Sequence, residues 1–160
     1  MRISVSPEGF SDWPELVNLV LDAFAYMDGR IDPPSSLTKM GLEEFKAKAE
    51  KEALIVAYEG QTLIGCAFAD LREDCVYVGK VAVAKSARGR GVARMLFAAA
   101  DELARTHGKQ ALELQTRVEL VENHAGFGAL GFINVAETAH PGYSRPTSIT
   151  MRRAVERRGA

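Results

Sequence analysis

A short turn rich in arginine and glycine is the stretch of this sequence with the clearest chemistry. Residues 85–94 read K-S-A-R-G-R-G-V-A-R and stand between an apolar, β-branched run and a pattern of helical period. The first N–H groups of a helix have no partner inside it and together carry about half a positive charge. Arg88 and Arg90 add full charges, and glycine lets an anion approach the backbone closely. The turn therefore predicts a site for phosphate groups.

Two common phosphate-binding motifs do not account for this turn. A P-loop requires a Lys-Ser or Lys-Thr pair after its glycines, and none follows here. A dinucleotide fingerprint requires a third glycine, and Arg94 occupies that position. The turn instead reads Arg88-x-x-Gly91-x-Ala93, which resembles the R/Q-x-x-G-x-G/A signature of the GNAT superfamily of acyl-CoA N-acyltransferases. The resemblance continues in V-A-V at 81–83, in Asn123 and in L-G-F at 130–132, and so spans residues 53–154.

This resemblance implies a fold, a co-substrate and a reaction. The implied fold is α/β, with a mixed, mostly antiparallel central sheet of about seven strands and helices on both faces. The implied co-substrate is acetyl-CoA, with no metal, and its acetyl group would pass to a primary amine by direct attack in a ternary complex. Coenzyme contacts are implied for the strand before the turn, the turn itself and one later residue: Val81, Ala82, Val83, Arg88, Gly89, Arg90, Gly91, Val92, Ala93 and Asn123.

Other interpretations of these residues stay open at this point. Val81 and Val83 share one strand phase and suit a core, which is compatible with backbone contacts to a ligand. Asn123 stands near a helix start and suits an N-cap equally well. For the whole chain, the alternatives are a catalytically degenerate acyl-CoA-binding regulatory domain and a nucleotide-binding module.

Acyl transfer to an amine needs a base for the amine proton and a proton donor for the departing thiolate. A backbone N–H of the central strand can serve the thioester oxygen. Glu119 is the predicted base, with Asp70 and Glu113 as competitors. In many members of the resembled family the donor is a tyrosine, but the matching position here is Phe127, which has no hydroxyl. Tyr143 is the predicted substitute, and the missing tyrosine is the only support for the degenerate alternative.

Residues 27–40 are predicted to be the acceptor side of the site. They read M-D-G-R-I-D-P-P-S-S-L-T-K-M, whose glycine, prolines and serines indicate a loop. Loops of this length are often functional, and the resemblance places this one beside the acceptor. The implied substrate contacts are Met27, Asp28 and Arg30, with Asp32 as a further candidate; a solvated loop is the alternative. Asp28 and Asp32 mildly favour a cationic acceptor, and Arg30 offsets them.

Periodicity predicts the elements that position these residues. Short apolar or alternating runs predict strands at 2–6, 53–58, 62–71, 75–84, 111–117, 132–137 and 147–155. Helical spacing predicts helices that end near Tyr26, cover 41–52, begin at 91 or 92, and cover 119–130. The crossover through the third helix makes strand 111–117 parallel to strand 75–84. In the resembled family, these two strands splay apart and admit the pantetheine arm.

Some expectations concern packing within the predicted strands. Gly65 inside a strand indicates a bulge or a close approach by a neighbour. Cys66 and Cys75 are expected to be buried thiols on neighbouring strands, with Cys75 opposite about Asp70 rather than Cys66.

Composition limits the classes of partner. The 160 residues suit a single domain, 1–160, with a frayed tail at 156–160. A net charge of -1 argues against nucleic acid, and no apolar run has the length of a membrane span. The three histidines lack zinc-site spacing, and no signal-peptide pattern opens the chain, so a cytoplasmic location is expected. The expected partners are a small-molecule or peptide amine and, through the final hairpin, a second copy in a homodimer.

Overall fold

Seven strands and four α-helices make up residues 1–156, the part of the chain that this computed structural model describes. The strands are β1 (Arg2–Val5), β2 (Ala53–Glu59), β3 (Thr62–Leu71), β4 (Cys75–Val83), β5 (Ala111–Arg117), β6 (Ile133–Thr138) and β7 (Ser148–Ala154). The helices are α1 (Trp13–Phe24), α2 (Leu42–Lys51), α3 (Val92–Thr106) and α4 (Val121–Ala129). The predicted elements are therefore observed, while the predicted frayed tail lies, apart from Glu156, outside the described residues.

All seven strands form one sheet in the order β1-β2-β3-β4-β5-β7-β6. Neighbouring strands are antiparallel except β4 and β5, which α3 connects. A parallel pair needs such a crossover because its strands run in the same direction. The predicted α/β fold with a mixed, mostly antiparallel seven-stranded sheet is confirmed.

Helices cover both faces of the sheet, and each face has its own apolar core. On one face, α1 and α2 bring Leu16 and Phe45 against Phe68 of β3. On the other face, α3 brings Leu96 and Phe97 against the strands, and α4 packs at the margin of this core. Because the two cores are separate, a residue's strand phase decides which pair of helices it meets.

The pairing of β4 with β5 is short. Cys75 to Tyr77 pair with Ala111 to Glu113, and within residues 1–156 the rest of β4 pairs only with β3. The rest of β5 pairs only with β7 over the same described range. The two parallel strands therefore diverge and leave a wedge between them, as the family resemblance implied.

A β-bulge interrupts β4 inside this wedge. Phe68 of β3 lies opposite Gly79 and Cys66 lies opposite Ala82, so β4 has one residue more than β3 across this interval. Lys80 takes up the difference with a left-handed backbone, φ 52°. This conformation is costly for a residue with a Cβ, and bulges of this kind change the direction of side chains.

The bulge also changes which residues of β4 face α3. Val76 and Val78 belong to the α3-side core before the bulge, whereas Val81 and Val83 pack against it afterwards. The expectation that Val81 and Val83 share one core-facing phase is confirmed.

Three packing expectations had different outcomes. A Cβ built on Gly65 would lie 2.8 Å from Cγ1 of Val92, so the predicted close approach is confirmed. Both cysteines are buried and free, as expected. The predicted partner of Cys75 is wrong, because Asp70 pairs with Tyr77 and the N–H of Arg72 donates to the carbonyl of Cys75. The hairpin turn is shorter than expected, which shifts the register.

Candidate active site

The turn between β4 and α3 is open on its outer side. Gly89 and Gly91 have left-handed φ angles of 75° and 81°, and no described atom lies within 4 Å of where a Cβ would stand at either glycine. The hydrogen bonds of α3 begin with Met95 N to Gly91 O, 3.0 Å. The preceding N–H groups therefore have no partner within the helix. An anion has access to these groups, and Val92 and Ala93 place the helix start at the predicted residue.

The two arginines of this turn have different surroundings. Arg90 forms an exposed ion pair with Glu59 at the end of β2, and this contact lowers the pKa of the Glu59 carboxyl. Arg88 is exposed and forms no ion pair with any residue in the range 1–156. Arg88 is therefore the more available of the two predicted phosphate contacts.

A cavity of about 730 Å³ opens where β4 and β5 separate. Its walls come from residues 77–81 of β4, residues 114–117 of β5 and residues 33–39 of the loop before α2. Among the predicted coenzyme contacts, Val81 and Asn123 line it, whereas the turn before α3 does not. The cavity connects the strand wedge with the loop predicted to be the acceptor side.

The predicted substrate contacts do not meet at one place. Met27 is buried and lines the cavity. Asp28 is exposed and lines only a neighbouring cavity of about 410 Å³. Arg30 points elsewhere, since its guanidinium donates to Glu122 of α4 at 2.8 and 2.9 Å.

Asp32 connects the two predicted catalytic residues. The hydroxyl of Tyr143 donates to Oδ1 of Asp32 at 2.6 Å, and Oε2 of Glu119 accepts from the N–H of Asp32 at 3.1 Å. The other carboxylate oxygen of Asp32 accepts from Arg145 at 3.2 Å. The hydrogen bond to Asp32, followed by burial, raises the pKa of Tyr143.

Glu119 and Tyr143 thus belong to one polar group, but neither side chain lines the cavity. Oε1 of Glu119 is buried and accepts no hydrogen bond from residues 1–156. The competing carboxylates are engaged elsewhere: Asp70 contacts Arg72 at 3.4 Å, and Glu113 lies within 3.9 Å of Arg72 and Arg152.

Two residues of α4 face the cavity. Asn123 donates from Nδ2 to the hydroxyl of Tyr26 at 2.8 Å. Its alternative role as an N-cap is wrong, because Leu120 is the N-cap of α4. Phe127, at the position of the missing tyrosine, lines the cavity and packs edge-on against Phe97.

Five basic side chains that the sequence did not single out as site residues line the cavity: Lys39, Lys48, Lys80, Arg117 and His140. Burial lowers the pKa of Lys80 and of Arg117, and burial together with Arg117 lowers the pKa of His140. A signal for Lys80 exists in the sequence, since a lysine interrupts an otherwise apolar central strand. Arg117 and His140 carry no comparable signal. No group of three or more His, Cys, Asp or Glu in the described residues could hold a metal ion.

Sequence and structure comparisons place this geometry among known proteins. The family model for the acetyltransferase (GNAT) family matches residues 13–132. No curated protein matches the chain in sequence. PaiA N-acetyltransferase from Thermoplasma acidophilum, solved in complex with coenzyme A, is similar with a TM-score of 0.76 and 13% identity over 96% of this chain and 99% of its own.

Two further solved structures have a similar fold. An aminoglycoside 6′-N-acetyltransferase complexed with coenzyme A has a TM-score of 0.74 and 13% identity over 100% of both chains. The ribosomal-protein-S18-alanine N-acetyltransferase from Escherichia coli has a TM-score of 0.70 and 16% identity over 99% of this chain and 97% of its own. At such identities the likeness concerns the fold, and the acceptors named for these proteins differ from one another.

Proposed function

The chain belongs to the acetyltransferase (GNAT) family, and from this membership we propose that it transfers the acetyl group of acetyl-CoA to a primary amine. Structures of similar fold crystallised with coenzyme A support the use of an acyl-CoA. The thioester of acetyl-CoA is already an activated acyl group. We therefore propose direct attack by the amine in a ternary complex, without an acyl-enzyme.

One observation carries this proposal: β4 leaves β5 after Tyr77, and the separated stretch connects the cavity with the open N-terminus of α3. Arg88 and the first N–H groups of α3 would hold the phosphates. Backbone groups of residues 78–83 that face the wedge have no partner on β5 and would hold the pantetheine arm. A backbone N–H of the same stretch would stabilise charge that develops on the thioester oxygen.

Glu119 is our proposed general base, and Tyr143 our proposed proton donor. The unpartnered Oε1 of Glu119 supports the first role, because a buried carboxylate oxygen without a protein donor is expected to accept a hydrogen bond from a water. Since Glu119 does not line the cavity, we propose that one water relays the amine proton to it. Tyr143 contacts Asp32, whose N–H donates to Glu119, and the contact with Asp32 keeps the phenol protonated. Because Tyr143 does not line the cavity either, we propose that a water relays its proton to the departing thiolate.

A thiol-release assay with a panel of primary amines tests the transfer, and calorimetry tests coenzyme binding. We expect acetyl-CoA to bind and at least one amine to release free CoA faster than buffer does. Binding without release from any amine would favour the degenerate regulatory domain, for which Phe127 is the only support. Tight ATP or NAD binding with no preference for CoA would favour the nucleotide-binding module.

We also propose a location and an assembly. Two buried free thiols, Cys66 and Cys75, suit a reducing compartment such as the cytoplasm. Within the described residues, no helix has the length and apolarity that a membrane crossing requires. The proposed partners are an amine acceptor and a second copy of the chain, whose contact would use the exposed side chains of β6.

A further inference from the structure

The cavity between β4, β5 and the loop before α2 has an unbalanced charge. Its lysine and arginine lining residues are Lys39, Lys48, Lys80 and Arg117; His140 also lines it, with a pKa lowered by burial and by Arg117. None of the described residues that line it is an aspartate or a glutamate. Lys48 is balanced from outside the cavity by Glu52, at 2.7 Å. Lys39 is exposed, which leaves Lys80 and Arg117 as the partly buried charges without a close counter-ion.

Lys80 is directed into the cavity by the bulge of β4. Its Nζ donates to the hydroxyl of Ser36 at 3.2 Å, and no carboxylate of residues 1–156 forms an ion pair with it. The left-handed backbone at Lys80 places a lysine on the α2 side of the sheet, beside Lys48. A charged side chain held in a costly backbone conformation inside a cavity is a candidate functional residue.

Arg117 reaches the same cavity from β5. Leu112 and Leu114 belong to the α3-side core, so Arg117, in the opposite phase, lies on the face of Lys80. Its guanidinium donates to the carbonyls of Pro33 and Pro34 at 2.7 and 3.3 Å, and no carboxylate in the described chain forms an ion pair with it.

The charges around these two cations define what would bind. The charged or titratable groups that interact electrostatically with Lys80 are Lys48, Glu52 and Arg117. Those that interact with Arg117 are Glu119, Asp32 and Tyr143. Asp32 is already neutralised by Arg145. Among these groups, Glu119 is the one acid without an ion pair to a described residue. The two positive charges of Lys80 and Arg117 and the negative charge of Glu119 therefore sum to about one net positive charge. A carboxylate matches this charge better than a phosphate dianion does.

The coenzyme does not supply this anion. Its phosphates would bind at the turn before α3, whose residues do not line the cavity, and the acyl-pantetheine part carries no charge. A partly buried cation without a counter-ion has lost hydration, and the charge of an anionic ligand can compensate for this loss. The acceptor is the remaining candidate source of such an anion.

We propose that the acceptor amine also carries a carboxylate, as a free amino acid does, and that Lys80 and Arg117 bind this carboxylate. The inference rests on the proposed function and specifies its substrate class. It reverses the sequence-based preference for a cationic acceptor. That preference depended on Asp28, which lies outside the cavity, and on Asp32, which is paired.

Matched pairs of amino acids and their primary amides test the proposal, for example glycine, methionine, phenylalanine and glutamate. Each pair shares its amine and side chain and differs by one negative charge. We expect the acids to have the higher kcat/KM by about tenfold to hundredfold, and to bind more tightly to the CoA-loaded protein in calorimetry. The α-amine of the amide is the more easily deprotonated, so greater amine reactivity would not explain a preference for the acid.

The variants Lys80→Met and Lys80→Arg show whether Lys80 is responsible. Methionine keeps a Cβ at the left-handed position, so the backbone cost of the bulge is retained. We expect Lys80→Met to lose most of the acid-over-amide ratio and Lys80→Arg to keep it. Lys46→Met, which removes a charge from α2 outside the cavity, should keep the wild-type ratio. Because the ratio compares two ligands on one protein, a partly unfolded variant still gives an answer.

The possible outcomes separate the two proposals. Acids that bind through Lys80 without acetyl transfer would support this inference and overturn the proposed function. Equal use of acids and amides would overturn the inference and leave the function standing. A preference for phosphoethanolamine over every carboxylate, or no binding of any acid, would also overturn it.

Discussion

Arg88 and Arg90 lie two positions apart in the turn before α3, yet their side chains have different surroundings. Arg90 already has a counter-ion in Glu59, whereas Arg88 is exposed and pairs with no residue in 1–156. A coenzyme phosphate would thus gain a new charge-assisted contact from Arg88 and would have to compete with Glu59 for Arg90.

The first prediction concerns Arg88. We expect Arg88→Ala to weaken acetyl-CoA binding by about 1.5–3 kcal/mol, which is about tenfold to hundredfold. Arg90→Ala should have a smaller effect, and Lys46→Ala, at an unrelated surface position, should have none. Calorimetry measures all three affinities. An Arg88→Ala protein that binds acetyl-CoA like the wild type would show that Arg88 does not contact the coenzyme.

The second prediction uses Gly91 to test the helix terminus. Gly91→Ala and Gly91→Glu share the strain of a side chain at φ 81°, and a Cβ there meets no described atom within 4 Å. The glutamate variant alone adds negative charge where the phosphates would sit. We expect Gly91→Glu to bind acetyl-CoA at least about tenfold more weakly than Gly91→Ala. Equal affinities would place the phosphates elsewhere.

The third prediction concerns Glu119 and Tyr143. Loss of general acid–base catalysis lowers turnover by about 10²- to 10⁴-fold, so Glu119→Gln should reduce kcat strongly with little change in coenzyme affinity. Tyr143→Phe should lower kcat at least about tenfold, and less with an acyl donor whose thiol leaves more readily. Phe127→Tyr restores a hydroxyl at the cavity wall and should partly rescue Tyr143→Phe.

Steady-state kinetics on the best amine test this group. Glu50→Gln, an exposed carboxylate on α2, is the matched control and should keep wild-type turnover. Wild-type turnover in Tyr143→Phe would mean that water, not Tyr143, supplies the proton to the thiolate. Tyr143 would then have a structural role beside Asp32.

At the scale of elements, the position of α3 depends on Gly65 of β3. A Cβ there would lie 2.8 Å from Val92 Cγ1, closer than carbon atoms approach, so the first turn of α3 packs where only glycine fits. The fourth prediction is that Gly65→Ala lowers the free energy of unfolding by about 1–3 kcal/mol and weakens coenzyme binding. Urea unfolding and calorimetry measure the two effects. Unchanged coenzyme affinity in a destabilised variant would show that phosphate binding does not depend on how α3 packs against Gly65.

A buried ion pair fixes the other half of α3 to β7. Asp101 of α3 is 1% exposed and accepts from Arg153 at 2.6 Å. Arg153 also donates to the carbonyl of Leu130 after α4. Burial raises the pKa of Asp101 despite the opposing effect of Arg153. The folded protein therefore binds more protons than the unfolded chain between the unfolded and the folded pKa of Asp101, and stability falls as pH rises through this window.

The fifth prediction follows from that sign. Arg153→Met leaves the carboxylate uncompensated, so we expect a loss of about 3–5 kcal/mol in the free energy of unfolding at neutral pH. The loss should shrink as pH falls through the raised pKa of Asp101, because protonated Asp101 carries no charge. Arg152→Met, which breaks an exposed pair with Asp74, should change stability far less. Denaturant unfolding between pH 5 and 8 tests this, and a small loss independent of pH would contradict it.

At the scale of the whole molecule, the sheet has one notably apolar margin. Ile133 and Val135 of the edge strand β6 are 65% and 49% exposed. Val135 is the extra residue of a bulge opposite β7, which interrupts the edge for strand pairing. A homodimer through β6 would therefore depend on contacts between side chains rather than on backbone pairing of two edge strands. Sedimentation velocity of the wild type and of Val135→Lys would show whether these apolar side chains hold two copies together.

The sequence by itself determined the helices and strands and the glycine turn that precedes α3. Helical and strand periodicities, the glycines at 89 and 91 and the crossover through α3 are local signals, because they depend on neighbours a few residues apart. They were sufficient for the order of strands and helices, for the parallel pair β4–β5 and for the start of α3 at Val92, whereas the α/β fold with its seven-stranded sheet was implied by the family resemblance. The family resemblance added the expected reaction, acetyl transfer from acetyl-CoA to an amine.

Tertiary structure decided which side chains share the cavity. Lys80 faces the cavity because a one-residue bulge shifts the alternation of β4, and a shift by one residue exchanges the two faces of a strand. Asp32 joins Glu119 and Tyr143, which lie 87 and 111 positions away in the chain. Such contacts depend on register and on the packing of loops against the sheet. A periodic pattern does not encode either, because it reports only the nearest turns of the chain.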